Sequence, residues 1–299
     1  MSDSVKSASP LPAVTVLGTG AMGAAMAERL LERGFTVGAW NRTFGSMARL
    51  AELGATAHAG PEDAVARADV VITMLPTAGT VDEVMLEHRV IDAVRPGAVW
   101  AQMGTIGVEA TESLRSRVAN GSPNVMFVDA PVSGSHEPAR TGGLVVLASG
   151  PDAARPIVEP VFEALGRLTW LGEAGAGSRM KLVLNTWLAF EVEAAAEVAA
   201  VADRLGVTHA ALREAVKGGA LASGVAMTKL AKMDGGDFSS DFSLEWALKD
   251  LDLARAAAGV ESMPVATAIA ERWQRLVDKG HGRLDISAAR MDLEPMVRA

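Results

Sequence analysis

Lys181 and Asn185 stand four residues apart in a run from Ser178 to Leu205 that contains neither Pro nor Gly. On a helix that spacing puts both side chains on one face, one turn from each other. A lysine ammonium so placed can pass a proton to a carbonyl oxygen that is gaining negative charge, and an amide one turn on can orient either partner. The run predicts a single helix of about 28 residues, roughly 42 Å at 1.5 Å per residue. Its apolar character nearly all round predicts burial. On the helix alone, a lysine snorkelling to water and a hydrogen-bonded buried amide account for the same pattern.

A second group of residues has the chemistry of a nucleotide site. The apolar run Ala13 to Leu17 is followed by Gly18-Thr19-Gly20-Ala21-Met22-Gly23 and then a helical pattern from Ala24 to Glu32. That order, strand then GxGxxG then helix, is the one a dinucleotide needs. Gly18 permits the tight turn, Gly20 lets the backbone approach a pyrophosphate, and Gly23 allows close helix packing. Free N–H groups at the helix start face the phosphates. A second strand, Phe35 to Trp40, ends at Asn41-Arg42-Thr43. An enzyme selective for NAD places an acid there against the ribose 2′-hydroxyl, but here Arg42 stands instead and suits the 2′-phosphate of NADP. NADP(H) is therefore the expected cofactor, with NAD(H) the weaker alternative. A solvated surface arginine would look the same.

The elements between must position these groups. Strands are predicted at Asp69 to Leu75, Val99 to Gln102 and Val125 to Asp129, with a helix from Val108 to Asn120. Such alternation means a doubly wound parallel sheet. Met74-Leu75-Pro76 and Thr105 fall at its carboxyl edge, where open α/β sheets bind ligands. Asp129-Ala130-Pro131-Val132-Ser133-Gly134-Ser135 ends a strand in a turn whose hydroxyls and N–H groups suit an anion, although a plain connecting loop has similar composition. Leu144 to Ser149 and Leu168 to Leu171 are expected to extend the sheet, with a helix from Ala153 to Leu165 between them. Beyond the long helix, helices are predicted at His209 to Gly218, Ala226 to Met233, Leu244 to Ala258 and Pro264 to Lys279. Loops are predicted at Leu221 to Ala226 and Met233 to Asp241. Ser243 is a candidate helix cap. Taken alone, Lys249 and Asp250 read as a surface ion pair.

Composition narrows the classes. The chain has 299 residues, 49% hydrophobic and 21% charged, which fits a folded protein of two domains. A net charge of −8 with no basic block argues against a nucleic-acid partner. There is no cysteine, so disulfide and thiol chemistry are excluded, and a reducing, cytoplasmic setting is compatible. His58, His88, His136, His209 and His281 form no ligating cluster, so no metal is expected. No apolar run is long enough to predict a membrane span, and the polar start reads as a flexible tail over residues 1–12.

Taken in order, GxGxMG, Asn41-Arg42-Thr43, Met74-Leu75-Pro76, Asp129-Ala-Pro-Val-Ser133-Gly134, Gly175-x-Gly177-x-x-x-Lys181-x-x-x-Asn185 and Lys249-Asp250-Leu251 resemble the β-hydroxyacid dehydrogenases of the 3-hydroxyisobutyrate dehydrogenase type. The resemblance spans about residues 13 to 290 and is nearest to the NADPH-dependent glyoxylate/succinic semialdehyde reductases. It implies a Rossmann-type NADP-binding domain over 13–172 and an all-α substrate and dimerisation domain over 173–299, joined by the long interdomain helix. It implies Lys181 as the catalytic lysine, with Asn185 and Ser133 beside it in the chemistry. Thr105, Ser133, Gly134, Phe242 and Asp250 would bind substrate. Gly18 to Gly23, Asn41 to Thr43, Met74 to Pro76, Thr105 and Lys249 would hold the cofactor. Leu184 stands where many members carry a second asparagine, as in the reductase subgroup, and Gly143 replaces a common threonine.

The expected reaction interconverts a small aldehyde or keto acid and its hydroxy acid by hydride transfer. A lysine, with a free pKa of about 10.4, is already the right acid for reduction at neutral pH. An NADP-dependent imine reductase of the same architecture and a non-catalytic NADP-sensing protein are the alternatives. Imine reductases usually lack the lysine, and a sensor has no need of a proton donor. A homodimer through the helical domain is the expected assembly.

Overall fold

The computed structural model of the protein describes residues 10–293, so the tail expected over 1–12 falls, for residues 1–9, outside the described residues. The chain divides into two compact units, one closing at Lys181 and the next opening at Leu182.

In the first unit, β1 (Val14–Leu17), β2 (Val37–Trp40), β3 (Thr56–Ala57), β4 (Val70–Thr73), β5 (Val99–Gln102) and β6 (Met126–Asp129) form one sheet. Its order is β3-β2-β1-β4-β5-β6, and every neighbouring pair is parallel. Helices α1 (Ala21–Glu32), α2 (Ala48–Glu52), α3 (Pro61–Val65), α4 (Ala78–Asp82) and α5 (Val108–Gly121) lie in the crossovers. The strands are apolar runs because both faces are covered. Val14, Val16, Val70, Ile72, Val99 and Ala101 point into one core. Leu17, Val71, Trp100 and Phe127 point into the other, where the two rings meet edge to face at 5.2 Å. The strand order reverses between β1 and β4, which opens a crevice at their carboxyl ends.

The strands expected at Leu144 to Ser149 and Leu168 to Leu171 do not extend this sheet but join a third, at the expected turn, in a sheet of their own. β7 (Val132–Ser133), β8 (Leu144–Ala148) and β9 (Gly166–Trp170) make a separate three-stranded sheet, with α6 (His136–Thr141) and α7 (Arg155–Leu165) between them. The cause is local. Pro131 has no N–H to continue the β6 ladder, and its carbonyl accepts instead from Leu147 of β8. β7 then pairs antiparallel with β8, and one antiparallel bridge, Asp129 to Ser149, is the link back to β6.

Helix α8 (Ala176–Leu205) has 30 residues, about 45 Å at 1.5 Å per residue. Burial all round is not what it shows. Leu182, Ala189, Val192, Ala196 and Ala199 are buried, whereas Val183, Trp187, Phe190, Val198, Val201 and Leu205 are exposed, Trp187 by 62%. The exposed residues recur at steps of three, four and eight, so they form one stripe along the helix.

The second unit continues with α9 (His209–Val216), α10 (Gly224–Gly235), α11 (Leu244–Ala258) and α12 (Pro264–Leu276). Its core gathers Val192, Leu248, Leu251, Trp273 and Ile286. Helix α10 starts two residues before the prediction, because the Ser223 hydroxyl caps it by accepting from the Ala226 N–H, and ends two residues after it, where Gly236 takes φ +62°. Ser243 occupies the cap position of α11 without a side-chain cap bond. The first N–H groups of α11 go instead to chain carbonyls, Leu244 to Leu284 and Glu245 to Gly282. Among the described residues no helix is long and apolar enough to cross a membrane.

Candidate active site

The glycine loop between β1 and α1 is built as its residue types require. Gly18 has φ +96°, and a Cβ there would lie 2.5 Å from the Met74 carbonyl oxygen. The Met74-Leu75-Pro76 segment after β4 therefore runs directly beside the loop. Helix α1 begins at Ala21, inside the motif and three residues earlier than its apolar pattern indicates, so Gly23 sits in its first turn. A Cβ on Gly23 would fall 1.9 Å from the Gly18 carbonyl oxygen. A Cβ on Gly20, by contrast, would meet nothing within 4 Å. This open approach lies at a helix start with no side-chain cap and no acid in its first turn. A pyrophosphate fits there, with backbone N–H groups and the helix dipole facing it.

The segment after β2 is stitched to this loop. Asn41 Oδ1 accepts from the Thr19 N–H at 3.2 Å, and Asn41 Nδ2 donates to the Thr43 carbonyl at 3.2 Å. Ser46 Oγ lies 2.9 Å from Thr19 Oγ1 and donates to the Thr43 carbonyl at 2.9 Å. Arg42 and Thr43 are exposed, and no carboxylate occupies positions 41–43. The sequence reading missed Ser46. Its signal was a small hydroxyl three residues beyond Thr43.

A buried polar chain fixes the carboxyl edge of β4 and β5. Trp100 Nε1 donates to Thr73 Oγ1 at 2.9 Å, Thr73 Oγ1 donates to Gln102 Oε1 at 2.6 Å, and Gln102 Nε2 donates to the Gly104 carbonyl at 2.8 Å. All three side chains are fully buried. A Cβ on Gly104 would lie 2.5 Å from the Leu75 carbonyl oxygen. One network thus sets the Leu75-Pro76 turn and the Gly104-Thr105 turn against each other. Thr73 and Gln102 were legible only as strand residues.

The turn at the end of β6 is partly strand, since Val132 and Ser133 pair with Val146 and Val145. Gly134 follows with φ +125°, and a Cβ there would lie 2.8 Å from Leu144 Cδ2. The Asp129 carboxylate, 1% exposed, reaches the start of α8. Its Oδ2 accepts from the Ser178 N–H and its Oδ1 from Ser178 Oγ, both at 2.7 Å. Burial pushes this carboxyl above its ordinary range against the opposing hydrogen bonds from Ser178, Ser149 and Gly175. Lys181 stands three residues beyond Ser178 and is 8% exposed.

In the second unit, Asn185 Nδ2 donates to Asp250 Oδ2 at 2.6 Å, while Lys249 Nζ lies 2.9 Å from Asp250 Oδ1. Asp250 is 3% exposed, so this is not a solvated surface pair. Lys249 also stands 5.7 Å over the Trp246 ring. Phe242 is half-buried at the head of α11. It is held by Asp285, whose Oδ2 accepts from the N–H groups of Asp241 at 3.1 Å and Phe242 at 3.3 Å. Lys229 Nζ donates to both Asp285 oxygens at 2.9 Å. Burial acts to raise the Asp285 pKa, but the bond from Lys229, the Ser287 N–H and the lysine charge outweigh it and hold the carboxyl below the usual carboxylate range. Lys229 and Asp285 carry no sequence signal, because 56 residues separate them. Among the described residues no group of acids and histidines gathers as a metal would require.

Comparison with known proteins agrees with this geometry. The family model for the NAD binding domain of 6-phosphogluconate dehydrogenase matches residues 13–172. That for the NAD-binding region of NADP-dependent 3-hydroxyisobutyrate dehydrogenase matches residues 175–291. The chain is 33% identical over 279 residues to glyoxylate/succinic semialdehyde reductase 1 of Arabidopsis thaliana, covering 92% of this chain and 96% of the relative. It is 30% identical over 283 residues to the 2-(hydroxymethyl)glutarate dehydrogenase of Eubacterium barkeri, covering 91% of each. The solved structure of Mycobacterium tuberculosis 3-hydroxyisobutyrate dehydrogenase with L-serine superposes with a TM-score of 0.86 at 28% identity, over 96% of this chain and all of that one. With a parallel sheet, a fitting nucleotide loop and these relatives, the chain is an oxidoreductase that acts on hydroxyl groups with a nicotinamide cofactor, and it belongs to the β-hydroxyacid dehydrogenase family.

Proposed function

We propose that the protein reduces a small aldehyde or keto acid to its hydroxy acid with NADPH, and runs the reverse reaction, using Lys181 as general acid and base. The observation that carries this reading is a lysine 8% exposed, on the opening turns of α8, in the same compact unit as the glycine loop and the Ser133-Gly134 turn. The name of the Arabidopsis relative supports glyoxylate or succinic semialdehyde as substrate.

When bound, the nicotinamide supplies the hydride. Lys181 Nζ gives its proton to the carbonyl oxygen in reduction and takes it back in oxidation. Ser133 and the Gly134 backbone hold the substrate carboxylate, and Thr105 orients the carbonyl. The family resemblance assigns Asn185, Phe242 and Asp250 to substrate and Lys249 to the nucleotide in this reading. Arg42 supports NADP over NAD. It is exposed just beyond β2, one residue before Thr43, whose carbonyl accepts from the Ser46 hydroxyl, and a guanidinium there matches a ribose 2′-phosphate. The exposed stripe of α8 supports assembly with a second copy of the chain.

The test is a substrate panel. The protein is incubated with NADPH or NADH and with glyoxylate, succinic semialdehyde or a cyclic imine, and loss of the reduced cofactor is followed. Faster turnover with NADPH and an aldehyde acid is expected. Turnover with the imine alone, or with none, would overturn the reading.

A further inference from the structure

The start of α8 is an unusual helix terminus, because every one of its opening N–H groups has a partner inside the first unit. Ala176 donates to the Glu173 carbonyl and Arg179 to the Gly175 carbonyl, each at 3.2 Å. Gly177 donates to Ser149 Oγ at 2.9 Å, and Ser178 donates to Asp129 Oδ2 at 2.7 Å. Ser149 Oγ in turn donates to Asp129 at 3.2 Å, and Thr111 Oγ1 lies 3.0 Å from Ser178 Oγ. Asp129, Ser149, Ser178 and Thr111 are all buried. The backbone closes just as tightly, since a Cβ on Gly177 would fall 2.2 Å from the Leu147 carbonyl oxygen and 2.9 Å from that of Asp129. This explains the second glycine of the Gly175-x-Gly177 pair.

One exposed serine or aspartate is the usual cap of a helix start, with water taking the remaining N–H groups. Burying a carboxylate for the purpose is costly, so helix stability alone does not account for it. What the arrangement uniquely does is register two chain segments. Asp129 is the last residue of β6, and Ser133 follows four residues later. Ser178 lies three residues before Lys181, about 4.5 Å along a stiff helix axis. One carboxylate therefore fixes the height of the lysine relative to the serine turn.

We infer that Asp129 is a positioning residue, which acts through Ser178 to set Lys181 against the Ser133-Gly134 turn. The inference rests on the role proposed above for Lys181. Displacing a reacting group by about 1 Å can cost on the order of 10²-fold in rate. Asp129→Ala, which frees the helix start, is expected to lower kcat by roughly that factor while the KM for NADPH stays within about two-fold. Asp129→Asn, which can still accept from the Ser178 N–H and donate to Ser178 Oγ, is expected to recover most of the loss.

The experiment compares Asp129→Ala, Asp129→Asn, Ser178→Ala and Lys181→Ala for NADPH affinity, thermal midpoint, kcat and the rate at which acetic anhydride labels Lys181, read by mass spectrometry. The expected result is faster labelling of Lys181 in Asp129→Ala, with NADPH affinity intact, kcat reduced and rescue by Asn. Should Asp129→Ala not fold, Ser178→Ala, which keeps the carboxylate and removes one bond to it, carries the same comparison with a smaller loss. The inference is overturned if a folded Asp129→Ala, or failing that Ser178→Ala, labels and turns over like wild type. It is also overturned if Asn rescues nothing. Wild-type turnover by Lys181→Ala would instead bring down the proposed role of the lysine, so the two failures are distinct.

Discussion

Asn185 Nδ2 donates to Asp250 Oδ2 at 2.6 Å, which ties α8 to α11 through two buried side chains. The bond gives Asn185 a defined duty, to hold one oxygen of a carboxylate whose other oxygen faces Lys249. Replacing Asn185 by Asp sets two carboxylates against each other, and one must then hold a proton. We predict that Asn185→Asp is less stable than wild type at neutral pH and regains stability as pH falls. Thermal midpoints across pH check this, and a deficit that does not shrink on acidification would count against the contact.

Arg42 is the basis for the choice of NADP. Its removal takes away a charge-assisted hydrogen bond worth about 1.5–3 kcal/mol, or roughly 10- to 100-fold in affinity. Arg42→Ala should weaken NADPH by about that factor and leave NADH almost unchanged. Titration of both reduced cofactors by fluorescence reads the ratio, and equal effects on the two would remove the electrostatic basis.

The buried Lys229–Asp285 pair underlies Phe242, and its pH behaviour has a definite sign. A carboxyl held below its ordinary value stabilises the fold above the unfolded pKa, 3.8, and loses that contribution as pH falls through the folded value. Wild type should therefore hold its stability down to the ordinary carboxylate range and lose it below. Lys229→Met leaves the carboxylate buried without its cation, at a cost of about 3–5 kcal/mol at neutral pH. Its deficit should shrink as pH falls, because protonation relieves a buried carboxyl that has lost its cation, whereas wild type loses stability on acidification. Urea midpoints from acid to neutral pH test both statements, and superimposable curves for the two proteins would refute them.

The stripe of Val183, Trp187, Phe190, Val198, Val201 and Leu205 is apolar and exposed on a single chain. If a second copy covers it, Trp187→Glu buries a charge at the interface and should shift sedimentation equilibrium toward monomer without unfolding the chain. An unchanged molar mass would exclude this face as the contact.

What was readable in the sequence followed from local physics. Gly18, Gly20 and Gly23 each have a reason within the loop, and the alternation of apolar runs and helices carried the parallel sheet. Helix starts shifted by about two or three residues where a cap or a glycine motif decided the boundary, as at Ala21 and Gly224. Contacts across long separations were not readable. Thr73 to Gln102, Asp129 to Ser178 and Lys229 to Asp285 pair residues of ordinary type with no periodicity to announce them. The second sheet was missed because apolar composition states that a strand is buried without stating which neighbour it has. Composition marked α8 as apolar nearly all round, but it did not tell which of its faces is covered within the chain and which is exposed.

The central claim is that Lys181 supplies the proton for a reduction that uses NADPH. Its most direct test is the single-turnover rate of NADPH oxidation with succinic semialdehyde or glyoxylate, in wild type and in Lys181→Ala shown to bind NADPH normally. Loss of roughly 10²- to 10⁴-fold in that rate, with nucleotide affinity intact, is the predicted result. A Lys181→Ala protein that oxidises NADPH at close to the wild-type rate would contradict the account.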